Sequence, residues 1–201
     1  MAVGGCLQSP AMDIRQVSVT YREEQDRILV RINTAQGEEL RLWFTRRLVL
    51  GLWPVLNKAV VQAGELAAVA AGRPAPADQA ARQAIGAFER EAALSKANFT
   101  APYQSAEKAA LPLGAEPLLV SEVRITPHAS GALQIAFQEK LPDLPTPRGF
   151  QLELRGALIH GFTHLLEQAI AAAQWRAGVP GELAEPDTGP GPLEPPRRYL
   201  N

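Results

Sequence analysis

Three runs of alternating apolar and polar residues open the chain. Val17, Val19 and Tyr21 alternate with Ser18, Thr20 and Arg22. Ile28, Val30 and Ile32 alternate with Leu29, Arg31 and Asn33, and Leu40, Leu42 and Phe44 with Arg41 and Trp43. A period of two sends one set of side chains to one face, so each run predicts a strand with a single buried face. The segments Glu23–Asp26 and Thr34–Gly37 separate the runs as polar turns, with Gly37 available for a positive φ.

The period then changes to helical. Thr45 is placed to cap a helix in which Leu48, Leu52, Val55, Leu56 and Ala59 form the apolar stripe. Pro54 lies inside this pattern and is expected to kink the helix or to mark the start of a second one. The pattern runs to about Ala71, where Gly72-Arg73-Pro74-Ala75-Pro76 breaks it. A second helix, about Ala77 to Ala97, carries Ala81, Ile85, Phe88, Ala92 and Leu94. It is expected to pair with the first as an antiparallel hairpin. A proline- and glycine-containing connector covers 98–117.

Strand pattern returns with Leu119, Val123 and Ile125, then Leu133, Ile135 and Phe137, then Phe150, Leu152 and Leu154. A last helix places Leu158, Phe162, Leu165, Leu166, Ala169 and Ile170 on one face and is expected to end near Gly178. From Gly178 to Asn201 the chain holds six prolines and four glycines, too few apolar residues for a core, and reads as a disordered tail.

Laid on each other, the halves match. Leu40–Leu48 aligns with Phe150–Leu158, and the same offset puts Gly51 on Gly161, Leu56 on Leu166 and Ala59 on Ala169. Each half reads as strand, strand, strand, helix, which suggests a duplicated unit whose two copies bury a shared core. Repeat 1 spans about 13–72, a helical extension 73–97, and repeat 2 about 118–177, together one α+β domain over 12–177 behind a flexible leader, 1–11. The equivalent glycines, Gly51 and Gly161, suggest close approach of the two helices, because glycine inside a helix costs about 1 kcal/mol relative to alanine.

Composition narrows the function classes without naming one. Hydrophobic residues make up 46% of 201 residues and charged residues 20%, an ordinary globular balance. The net charge of −1 gives no overall sign of nucleic-acid or anionic-membrane binding. No apolar run approaches the roughly 20 residues that span a bilayer. Residues 1–6 lack the basic and apolar segments of a secretory signal, and Cys6 is the only cysteine, so a cytoplasmic location is expected.

Three groups of residues are candidates for function. His160, His164 and Glu167 share one helix face at i, i+4 and i+7, a spacing that lets two imidazoles and a carboxylate meet one metal, with His128 as a further ligand. Gly161 stands where a HExxH glutamate would be, so the metalloprotease pattern is incomplete. Arg31, Arg41 and Trp43 form an arginine and aromatic sheet face continued by Arg46 and Arg47, the residue types that hold single-stranded nucleic acid on open sheets, or a partner. Arginines at a helix start oppose its dipole, so an acid such as Glu38 or Glu39, or a bound anion, is expected nearby. Arg197, Arg198 and Tyr199 end the tail with anchor types for partner contact. Trp175 is expected to pack under the tail or to mark a contact.

No nucleophile elbow, phosphate loop or dinucleotide fingerprint is present in the sequence. The expectation is a non-catalytic protein–protein interaction or assembly module, self-associating or bound to another protein, with no cofactor and no membrane partner. The alanine-rich hairpin over 59–97 is its interface candidate. The alternatives are a single-stranded nucleic-acid-binding accessory protein and a small metal-dependent enzyme.

Overall fold

The structure is a computed structural model that describes residues 12–73, 78–96, 103–104, 109–141 and 148–175. The leader and the tail, with Arg197, Arg198 and Tyr199, lie outside the described residues. Over the described residues the fold is α+β, with two sheets and three α-helices.

Strands β1 (Ile14–Arg22), β2 (Arg27–Thr34) and β3 (Glu39–Thr45) form an antiparallel meander. Its register sets Val19 against Val30 and Val30 against Leu42, so the apolar parity of all three strands meets on one face. Gly37 adopts φ +79° in the β2–β3 turn. Helix α1 (Arg46–Ala70) follows at once, with the Thr45 side chain accepting from the Leu48 amide at 3.3 Å. α1 runs through Pro54 as one element, and Pro54 lies on its exposed side. Helix α2 (Gln79–Lys96) starts at Asp78, whose carboxylate accepts from the Ala81 amide at 2.6 Å.

Beyond the connector, two residues form β4 (Leu118–Leu119), which pairs with β3 in parallel and makes the first sheet four-stranded. The sequence pattern placed Leu119 on the buried parity, but Leu118 is the buried one. The chain then changes sheets. The Val120 amide donates to the Trp43 carbonyl at 3.1 Å, and the Ser121 amide to the Gln138 carbonyl at 2.9 Å. Strands β5 (Glu122–Pro127), β6 (Leu133–Glu139) and β7 (Arg148–Leu154) form a second antiparallel meander, and α3 (Ala157–Ala172) follows.

The inner faces of the two sheets share one core. Phe44 of the first sheet lies 5.6 Å from Phe137 of the second, and Phe137 lies 5.4 Å from Phe150. Each helix crosses to the other half's sheet: α1 packs against β5 and α3 against β1, in each case the first strand of the opposite meander. Val49, Leu52, Leu56 and Ala59 are buried on α1, and Ile159, Phe162, Leu166 and Ala169 on α3. These are the same positions after the strand-to-helix junction in both halves.

Three expectations change. Val55 and Leu158, placed on apolar faces, are exposed, and Val49 and Ile159 take the buried positions. The helix origins, at Arg46 and Ala157, rotate the buried stripe away from Val55 and Leu158. Gly51 does not mark a close helix approach: it is exposed, and a Cβ built on it meets nothing within 4 Å. The close approach is at Gly131 instead, in the β5–β6 turn. There φ is +79°, and a Cβ would fall 2.4 Å from that of Ala67 on α1. Finally, α3 ends at Ala172 rather than near Gly178. Gln174 takes the left-handed conformation at φ +55°, its amide donates to the Ala171 carbonyl, and the Trp175 amide donates to the Ile170 carbonyl. This is the Schellman hydrogen-bond pair, with glutamine in place of glycine.

Candidate functional site

His160, His164 and Glu167 lie along one face of α3, and two of them have partners on neighbouring residues. Glu167 forms an ion pair with Arg90 of α2. The Nε2 atom of His164 lies 3.1 Å from the Gln168 amide nitrogen. His160 is half-buried, and burial pushes its pKa below the ordinary value, with Glu89 opposing and Arg90 reinforcing the shift. Among the described residues no group of three or more His, Cys, Asp or Glu side chains is arranged to hold a metal ion.

The arginine and aromatic face is built from cross-strand neighbours, Arg31 opposite Arg41 and Leu29 opposite Trp43. Its arginines are engaged within the chain. The connector brings Tyr103 over the sheet, with the Arg31 guanidinium carbon 4.1 Å from the ring centroid. The Tyr103 hydroxyl donates to Asn33 at 2.7 Å, and Asn33 donates to the Gln104 carbonyl at 2.7 Å. Arg41 donates to the buried Glu39 carboxylate at 2.8 Å. Burial, and secondarily the Glu39 charge, push the Tyr103 phenol up to about 12. Arg46 and Arg47 are exposed at the start of α1, and the acid within electrostatic reach of Arg46 is Asp26. The dipole mismatch expected there is thus offset by a residue of the β1–β2 turn, while Glu39 serves Arg41.

The hairpin differs most from expectation. α2 makes its main packing contact on α3, through the Arg90–Glu167 pair, rather than on α1. Along the first half of α2 a groove of about 570 Å³ separates it from α1. Val60, Val61 and Ile85 line its walls, with His160 and Thr163 from α3 also lining it. Two side-chain pairs span the hairpin, Arg73–Glu89 at 3.4 Å and Arg82–Glu65 at 3.7 Å. Of the residues expected on the apolar face of α2, Phe88 is 72% exposed and Ile85 45%, while Ala81, Ala92 and Leu94 are partly buried; Val61 on the facing helix is 59% exposed.

A signal for this was available in the sequence. α2 holds three large apolar residues, Ile85, Phe88 and Leu94, among 18. That is too sparse for the three to four apolar positions per two turns of a helix that closes on a core.

The other polar clusters tie the fold together. The Glu139 carboxylate, 3% exposed as a residue, accepts from the Leu119 amide at 2.9 Å and from Arg148 Nε at 2.7 Å. Trp175 is buried against the β1–β2 turn rather than marking a contact site. Compared with known proteins, the chain matches no family model, no curated protein and no solved structure.

Proposed function

We propose that the chain is a non-catalytic interaction or assembly module whose contact surface is the open side of the α1–α2 hairpin. The observation that carries this is the exposure of Phe88 and Ile85 on a helix whose packing uses another face. Large apolar side chains left in water lose stabilisation and regain it when a partner covers them. The matched connectivity of the halves, with the helix of each on the sheet of the other, supports an origin by duplication. A single cysteine in 201 residues fits a reducing compartment such as the cytoplasm.

The same geometry gives less support to the other classes. The Arg31 guanidinium lies over the Tyr103 ring, Arg41 donates to Glu39, and Glu167 pairs with Arg90.

The experiment is affinity capture with the full chain and with its Phe88→Glu variant as parallel baits. A stoichiometric protein, the chain itself included, retained by the first and lost by the second is the expected result. Equal capture by both baits would move the contact surface elsewhere.

A further inference from the structure

We infer that the groove between α1, α2 and α3 is a binding site for a small, neutral, mostly apolar molecule that carries a hydroxyl group. The inference goes beyond the contact-surface reading and is independent of it, because Phe88 is not among the residues that line the groove.

Each of the three helices turns one face to the groove. Asn57, Val61, Gly64 and Ala68 recur along α1 at i, i+4, i+7 and i+11, and Arg82, Ile85 and Glu89 along α2 at i, i+3 and i+7. His160 and Thr163, one turn apart on α3, line it from the third side. Glycines on both facing helices leave the space open. A Cβ added at Gly86 meets nothing within 4 Å, and one added at Gly64 meets only the Glu89 carboxylate, at 3.7 Å. The volume of about 570 Å³ lies in the range of clefts that take drug-sized molecules. Apolar walls with a few polar groups are the common lining of such clefts between helices.

The polar groups set the class of ligand. Every charged side chain that lines the groove has an opposite charge beside it in the chain: Glu65 has Arg82 at 3.7 Å, Glu89 has Arg73 at 3.4 Å, and Arg90 has Glu167. An ionic head would give up water here without gaining a free counter-ion. The groups with hydrogen-bonding capacity to spare are neutral. Asn57 donates its amide to the Trp53 carbonyl at 3.0 Å and keeps its side-chain oxygen as an acceptor. Thr163 donates its hydroxyl to the Ile159 carbonyl at 2.8 Å and keeps its oxygen lone pairs. His160 is half-buried and has no hydrogen-bond partner among the described residues. Burial favours its uncharged form, in which one ring nitrogen donates and the other accepts. Acceptors therefore outnumber donors, which suits a ligand hydroxyl that donates over a ketone or ether that only accepts.

The test is isothermal titration calorimetry of the full chain with octanol, octanoate and octylammonium as probes. Octanol is expected to bind saturably with a Kd on the order of 100 µM, and the two ions at least about tenfold more weakly. Gly86→Leu and Ala87→Leu each direct a larger side chain into the groove. Both are expected to melt no lower than the wild type and to abolish octanol binding. His160→Leu is expected to weaken octanol about fivefold, and Phe88→Glu to leave it unchanged. An ion bound as tightly as octanol would overturn the neutral head. Octanol binding unchanged in either folded groove-filling variant would overturn the groove as the site, as would the absence of saturable binding up to the solubility of octanol. Loss of octanol binding in Phe88→Glu would overturn the independence of the groove from the contact surface.

Discussion

The indole Nε1–H of Trp175 donates to the carboxylate of Asp26 at 2.8 Å, across 149 residues of sequence. The Tyr21 hydroxyl donates to the same oxygen at 3.0 Å, and its ring meets the indole edge to face at 5.7 Å. Trp175, three residues beyond the end of α3, is thereby latched to the first turn of the first sheet, and the latch holds α3 on β1. Trp175 is only 2% exposed. Trp175→Ala is expected to destabilise the fold by about 3–5 kcal/mol. Trp175→Phe is expected to cost less, because the ring contact survives while Asp26 loses its indole donor. Chemical denaturation of both variants, compared with the wild type, checks the order.

The same latch sets an acid limit. The Trp175 indole, then the Tyr21 hydroxyl, hold the Asp26 carboxyl below its ordinary pKa. The folded chain thus binds fewer protons at this site than the unfolded chain. The resulting stability is complete above the unfolded value and is lost as pH falls through the folded one. The window lies below about pH 4. Asp26→Asn keeps an oxygen acceptor and removes the titration, so its stability is expected to vary less with pH in that window. Thermal melts from pH 5 down to 2 measure the difference between the two slopes.

Two glycines are expected to answer substitution in opposite ways. At Gly131 a Cβ would sit 2.4 Å from that of Ala67 and 2.9 Å from its Cα, in a backbone with φ +79°. Gly131→Ala must move the β5–β6 turn off α1, and a loss of about 2–4 kcal/mol is expected. Gly51 sits in open space within α1, so Gly51→Ala is expected to stabilise by up to about 1 kcal/mol. Melting temperatures of the two variants read both signs in one experiment.

Glu139 joins the sheets. It accepts from the Leu119 amide in the first sheet and from Arg148 in the second while itself buried. Glu139→Leu leaves the Leu119 amide and Arg148 without their shared carboxylate, and is expected to cost about 1–3 kcal/mol. Hydrogen exchange should report the loss at the Leu119 amide first. Unchanged protection there would contradict the bridging role.

Much of this architecture is legible in the sequence because its causes are local. Period-two alternation marks six of the seven described strands by itself, all but β4, and Thr45 marks the start of α1. What is not legible depends on partners far along the chain. β4 is two residues long and exists through parallel pairing with β3, which no periodicity records. Gln174 ends α3 in a conformation usually given to glycine because Trp175 gains burial and Asp26 as acceptor. The candidate residues follow the same division. The shared face of His160, His164 and Glu167 is helical spacing, but the pairing of Glu167 is decided by where α2 lands. The Arg31–Arg41 register is hairpin geometry, but the stacking of Tyr103 on Arg31 is decided by the connector. Phe88 and Ile85 have helical spacing suited to burial, but α2 carries too few large apolar residues to close on a core, and its stance on α3 leaves these two in solvent.

The central claim is that Phe88 serves a contact between molecules and not the core of its own chain. The most direct measurement is the melting temperature of Phe88→Glu in dilute solution, taken with its association state at high concentration. A melting temperature within about 2 °C of the dilute wild type, together with lost association, is expected for a residue that is mostly exposed in its own protomer. A fall of more than about 5 °C would contradict the claim, because it would place the phenyl ring in the folded core.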